Sequence, residues 1–147
     1  MSVIADTALK ARIDTLQAAI LLVLKDGLEA RLDKAAAIAR IYTQELGGIV
    51  ACPDIGGREH VFLSYVIQLE RREDLRQHML GRGIDCKVQY PVLMPEQDAY
   101  KGRFTCHAPV ARRLADQMLS LPNQDGMAVG EAYAVVEAVR DFFRDQR

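Results

Sequence analysis

Cys106 and His107 stand side by side in a chain that holds three cysteines and three histidines, and Gln89-Tyr90-Pro91 closes a strand-like run just upstream. Residues of these types serve three chemistries: a thiolate nucleophile, a zinc site, and a polar pocket for a small molecule. A nucleophile needs a base beside the sulfur and a carboxylate to orient the base. Cys106 has only a sequence neighbour in His107, and adjacent side chains rarely face each other. Cys86 falls in the middle of the strand-like run 84–89 and reads as an inert buried thiol. Zinc asks for ligand pairs at short spacing, and Cys52, Cys86 and Cys106 contain no C-x-x-C. His60 opens a strand, His78 lies on a charged helix and His107 lies in irregular chain, so each reads as a surface or strand-end residue. G-x-G-x-x-G, the P-loop, G-x-S-x-G and H-E-x-x-H are all absent. The third chemistry remains, and its natural home is GIDCKVQYPVLMPEQDAY, residues 83–100.

Charge narrows the partners. The 19 basic residues nearly balance the 20 acidic ones, so no broad field draws nucleic acid or an anionic membrane. Half of the residues are hydrophobic and 27% are charged, the composition of a folded globular chain. The longest apolar run, Ala18 to Leu24, is far shorter than the ~20 residues that span a bilayer. An odd cysteine count without a secretory leader predicts free thiols in a reducing cytoplasm.

The elements that must position these residues follow from periodicity. A single domain over 1–147 is expected: a loose lead-in at 1–11, two helices within 12–46, and an α+β body over 47–147. Ile13, Leu16, Ile20 and Leu24 recur at helical spacing up to Lys25, and Gly27 interrupts. A second helix carries Leu28, Leu32, Ala35, Ile38, Ala39, Tyr42 and Leu46 on one stripe and stops at Gly47-Gly48. Alternation of Val61, Leu63, Tyr65, Ile67 and Leu69 predicts a strand over 60–70. The next helix is charged, turns Leu75, Met79 and Leu80 inward, and ends at Gly81 and Gly83. Short strands are expected at 84–89 and 119–121, irregular chain at 91–108, and helices at 109–118 and 129–143. The fold class is therefore α+β: a small antiparallel or mixed sheet of about three short strands with helices packed on it, preceded by two long helices. Seven consecutive apolar residues at 18–24 make the first helix greasy all round, and such a helix must be enclosed by something beyond a small sheet.

Taken together, three segments resemble one family. ARIDTLQAAILLVL (11–24) is similar to the R-[ML]-D-x-[LI]-Q-A-A-[IV]-L segment of the DegT/StrS-type sugar aminotransferases, fold-type I enzymes that depend on pyridoxal phosphate. HVFLSYVIQLERREDLRQHMLGRGIDCKVQYP (60–91) resembles the family's strand, R-[DE]-x-L helix and second strand closing in [HQ]-Y-P. LSLPNQDGM (119–127) resembles its S-L-P segment. Order and spacing match from about residue 9 onward.

The resemblance implies the small C-terminal domain of such an enzyme. It places Gln89 and Tyr90, the [HQ]-Y pair, at the substrate. It also implies that the large domain, with the lysine that anchors pyridoxal phosphate, is absent from these 147 residues. None of the five lysines occupies that position, so no catalytic residue is assigned and the cofactor is not expected to be bound covalently here. The family's G-x-N-x-R becomes ALKAR (8–12): Arg12 is kept, and Lys10 replaces the asparagine as a point charge for the cofactor phosphate. The late histidine of [HQ]-Y-P-x-P-[LI]-H is Pro95, which can neither donate nor titrate. The expected partners are a second copy of this chain or a chain carrying the large domain. By itself the chain is expected to be inactive; the alternative is a non-enzymatic dimerisation or regulatory module that docks on an intact aminotransferase or self-associates.

Overall fold

The protein is described by a computed structural model covering residues 13–54, 59–100, 102–103, 105–124 and 126–144. Lys10 and Arg12, expected at a cofactor phosphate, lie outside the described residues.

Helix α1, Thr15–Lys25, starts at Asp14, whose carboxylate accepts the Gln17 N–H at 2.8 Å and satisfies one of the helix's free donors. The break at Asp26-Gly27 is stitched by Arg31, whose guanidinium donates to the Leu24 carbonyl at 2.6 Å. Helix α2, Leu28–Leu46, buries only its C-terminal half, through Ile38, Ala39, Tyr42 and Leu46. The expected stripe therefore begins a turn or two late, and Leu28 is exposed. A Cβ at Gly47 would lie 2.7 Å from the Thr43 carbonyl oxygen, which explains the glycine where the chain leaves α2.

Strands β1, Tyr65–Gln68, and β2, Met118–Leu121, form an antiparallel pair with Tyr65 opposite Leu121 and Ile67 opposite Leu119. This register puts four buried side chains on one face, where α2, α3 (Arg72–Gly81) and α5 (Val129–Arg144) close over them. Leu75 and Met79 of α3 and Val135, Val136, Val139 and Phe142 of α5 complete that layer. Helix α4, Pro109–Gln117, contacts β1, burying Ala115. Helix α3 ends in a Schellman closure: Gly83, at φ 75°, gives its N–H to the Leu80 carbonyl at 2.9 Å, and Ile84 gives its own to the Met79 carbonyl at 3.0 Å.

The α+β class stands, and of the antiparallel or mixed sheet expected the described residues form an antiparallel one, with two strands in place of about three. Expected strand 60–70 shortens to 65–68 because Phe62 sits at φ 47°. The His60 ring accepts the Phe62 N–H at 2.8 Å and Asn123 donates to its carbonyl at 3.0 Å, so side chains occupy groups a ladder would use. Val61 and Leu63 consequently face solvent. Expected strand 84–89 reduces to a single antiparallel bridge between Lys87 and Ser120, closed by hydrogen bonds of 3.1 and 2.9 Å. Leu80, expected inward, is exposed, because each helical residue turns ~100° and Leu80 lies one step past Met79.

Helix α1 contributes no buried residue; Leu16 is 72% and Val23 75% exposed. None of the described helices is long and apolar enough to cross a membrane.

Candidate functional site

Two depressions meet at Gln89. A cleft of about 460 Å³ is lined by Ser64 before β1, Asp85, Lys87 and Gln89 after α3, Asn123 after β2 and Glu131 on α5. A smaller cavity of about 50 Å³ lies between the sheet and α4, bounded by Val66, Val88, Tyr90, Ala115 and Met118. Ser64, Gln89 and Ser120 line both. The structure thus brings the two expected substrate residues to one place, Gln89 at the junction and Tyr90, 72% exposed, at the smaller cavity.

Local folding explains the placement. The Lys87–Ser120 bridge docks the segment against β2, and the period-two alternation of extended chain puts Lys87 and Gln89 on one side and buried Cys86 on the other. Pro91 then ends the extended run, with its carbonyl accepting from Arg112 of α4 at 2.7 Å. Glu131 accepts the Ala128 N–H at 2.6 Å, tying the start of α5. Asn123 reaches across two elements, donating to Phe62 at 3.0 Å and to Ala35 of α2 at 3.3 Å. Its Oδ1 is buried and accepts no hydrogen bond from the protein.

The cleft's chemistry is polar and leans acidic. Asp85 and Glu131 supply two carboxylates, Lys87 one ammonium, and Ser64, Gln89, Asn123 and Gln124 neutral donors and acceptors over an apolar floor that includes Leu121, Met127 and Val135. That donor set suits an uncharged, hydroxyl-bearing group better than a dianion.

The nucleophile reading finds no support. Burial, reinforced by the Asp85 carboxylate, pushes the Cys86 thiol up to about 12, so it stays protonated and inert. Cys106 is exposed, and among the described residues no hydrogen bond joins it to His107. His78 contacts the Ala138 carbonyl at 3.1 Å and packs edge-on against Phe142, a structural role. Among the described residues no group of three His, Cys, Asp or Glu could hold a metal ion.

Pro95 does not line the cleft. It belongs to a separate depression of about 240 Å³ with Leu93, Glu96, Cys106, His107 and Arg112. Ser64, Asn123 and Arg112 escaped the reading of the sequence. Asn123 alone carried a signal, since it directly follows Ser120-Leu121-Pro122; Ser64 and Arg112 look like an ordinary strand residue and an ordinary helix-surface arginine.

Comparison with known proteins adds the lineage. The model of the DegT/DnrJ/EryC1/StrS aminotransferase family matches residues 2–140. The chain is 33% identical over 140 residues to the dTDP-3-amino-3,4,6-trideoxy-α-D-glucose transaminase of Streptomyces venezuelae, covering 90% of this chain and 36% of that protein. It is 32% identical over 141 residues to a pleiotropic regulatory protein of Geobacillus stearothermophilus, covering 91% and 38%. The crystal structure of DesV from S. venezuelae superposes with a TM-score of 0.84 at 32% identity, covering 89% of this chain and 37% of that one. The chain therefore spans little more than a third of the length of these relatives.

Proposed function

The chain belongs to the DegT/DnrJ/EryC1/StrS aminotransferase family, and from that premise we propose that it serves as the C-terminal part of a nucleotide-sugar aminotransferase. In this reading it supplies one wall of the substrate pocket. The observation that carries it is the pairing of Gln89, which lines both depressions, with Tyr90, which lines the smaller one and is left 72% exposed. The wall is finished on one side and open on the other, as half of a pocket between two bodies would be. Gln89 and Ser64 offer acceptors and donors for sugar hydroxyls, and the Tyr90 ring offers an apolar face with a hydroxyl at its end.

Pyridoxal phosphate does not fit the described residues. Its phosphate wants an anion cradle and its aldehyde a lysine. Of the described lysines only Lys87 lines the cleft, its rim also holds Asp85 and Glu131, and no arginine lines it. We place the cofactor on a large domain of the kind the relatives carry, and no chemical step is assigned to these residues alone. The bare face of α1 is the seat we propose for that large domain, joined or as a separate partner. A second copy of the chain is the alternative occupant, and it would leave a non-catalytic, self-associating module.

Adding pyridoxal phosphate to the purified chain tests the proposal directly. Absorbance of a lysine adduct and borohydride trapping should show no stoichiometric product, and no amino group should pass from an amino donor to a keto-sugar. A stoichiometric adduct trapped at one lysine overturns the claim that these residues do not transaminate by themselves.

A further inference from the structure

We propose that Arg112 is a positioning residue: it sets the orientation of Tyr90 through the carbonyl of Pro91. The inference rests on the reading of Gln89 and Tyr90 as substrate-facing and adds a residue that no local pattern announces.

The geometry is a fork. Arg112 Nη2 donates to the Pro91 carbonyl at 2.7 Å, while Nη1 donates to Glu96 Oε2 at 2.6 Å. The same Glu96 oxygen accepts the Leu93 N–H at 3.1 Å, and Glu96 returns its own N–H to the Leu93 carbonyl at 2.9 Å. One guanidinium thus holds both ends of the turn 91–96. Asp116, one helical turn further on, adds a second carboxylate at 3.4 Å and keeps the arginine aimed.

Backbone hydrogen bonds from Glu96, Gln97 and Tyr100 each reach only three residues back, so they shape turns without fixing the loop to the body. Arg112 ties it to α4, and α4 is itself pinned: Ala115, on the same face one turn later, is buried in the wall of the cavity that Tyr90 lines, and its carbonyl accepts from Arg72 at 2.9 Å.

Proline transmits the hold. Its ring fixes φ, and its Cδ excludes the helical region for the residue before it. A Pro91 whose carbonyl is anchored therefore leaves the Tyr90 backbone little freedom, which sets the direction in which its Cα–Cβ bond carries the ring. Lysine could not replace the arginine, because its one ammonium nitrogen cannot stand in for two separate nitrogens of a planar fork, one on the carboxylate and one on the carbonyl.

The test uses the full chain labelled with 3-fluorotyrosine. Its five tyrosines, at 42, 65, 90, 100 and 133, give separable fluorine resonances, and Tyr90→Phe assigns the one that matters. In both Arg112→Lys and Arg112→Ala the Tyr90 resonance should move, and amide exchange at Leu93 and Glu96 should quicken about tenfold. Tyr42 and Tyr65 should keep their shifts, showing an intact core. If Arg112→Lys leaves the Tyr90 resonance and both exchange rates at their wild-type values, the positioning role is refuted. No turnover enters this readout, so the aminotransferase reading and the Arg112 inference can fail independently.

Discussion

The Asn123 carboxamide donates to the Phe62 carbonyl oxygen at 3.0 Å, clamping an aromatic residue at φ 47°. Left-handed backbone is costly for a side chain of this size and persists only where the surroundings over-determine it. Here the His60 ring, the Asn123 amide and the neighbouring Tyr65 ring, 6.2 Å away, do so together. The consequence is spatial. The chain turns before β1, so Ser64 lines the cleft and Leu63 is thrown into solvent.

Asn123→Ala should therefore cost about 1–3 kcal/mol, since it abandons the Phe62 and Ala35 carbonyls. Asn123→Asp should cost more, because it sets a carboxylate against both carbonyl oxygens. Urea unfolding of the two variants checks the order, and an aspartate variant as stable as the wild type would contradict it.

Two leucine truncations should separate the core from the partner surface. Leu119 is fully buried, and Leu119→Ala should lose about 2–5 kcal/mol. Leu22 is 68% exposed on α1, and Leu22→Ala should leave the unfolding of an isolated chain almost unchanged. The charged pair Leu21→Glu with Leu24→Glu should lower the mass of the wild-type assembly in sedimentation. A wild type that already sediments as one chain, with a variant equally stable and unchanged in mass, would remove a second copy of the chain as the occupant of α1.

Glu73 predicts an acid effect of known sign. Hydrogen bonds from Arg76 and then Gln77 hold its carboxyl near about 2, below the ordinary 4.5. A depressed carboxyl stabilises the fold above its unfolded value, and that contribution fades as pH falls from 4.5 toward about 2. The pair is solvent-exposed, so the worth is under ~1 kcal/mol and shrinks with salt. Unfolding of Glu73→Gln against wild type should differ slightly at neutral pH and converge near pH 2. A gap that widens on acidification would reverse the assignment.

The helices were legible because their signals are local. Apolar residues recur every three or four positions through α2 and α5, and Gly83 supplies the left-handed turn that ends α3. The strands were less so. Alternation over 60–70 is real in the residues, but only four of them meet β2, since Phe62 turns the chain away. Ile84 to Gln89 reads as a strand and pairs once, because only Lys87 comes into register with Ser120.

Within the candidate site the same division holds. Gln89 and Tyr90 could be named from a short motif, and so could the need to enclose α1, because hydrophobicity at 18–24 has no polar face to hide behind. Membership of a family of sugar aminotransferases likewise lay in the order of three segments. Ser64, Asn123 and Arg112 could not be read this way. They come from the approach to β1, the turn after β2 and helix α4, and apart from the Ser120-Leu121-Pro122 segment before Asn123 nothing in their own neighbourhoods distinguishes them. Hydrogen bonds such as Arg112 to Pro91 form between residues far apart along the chain, and only packing of α4 against β1 brings them within 2.7 Å. Periodicity and caps are properties of neighbours in sequence, and the sequence determines them by itself; the cleft is a property of neighbours in space, and the tertiary fold alone decides it.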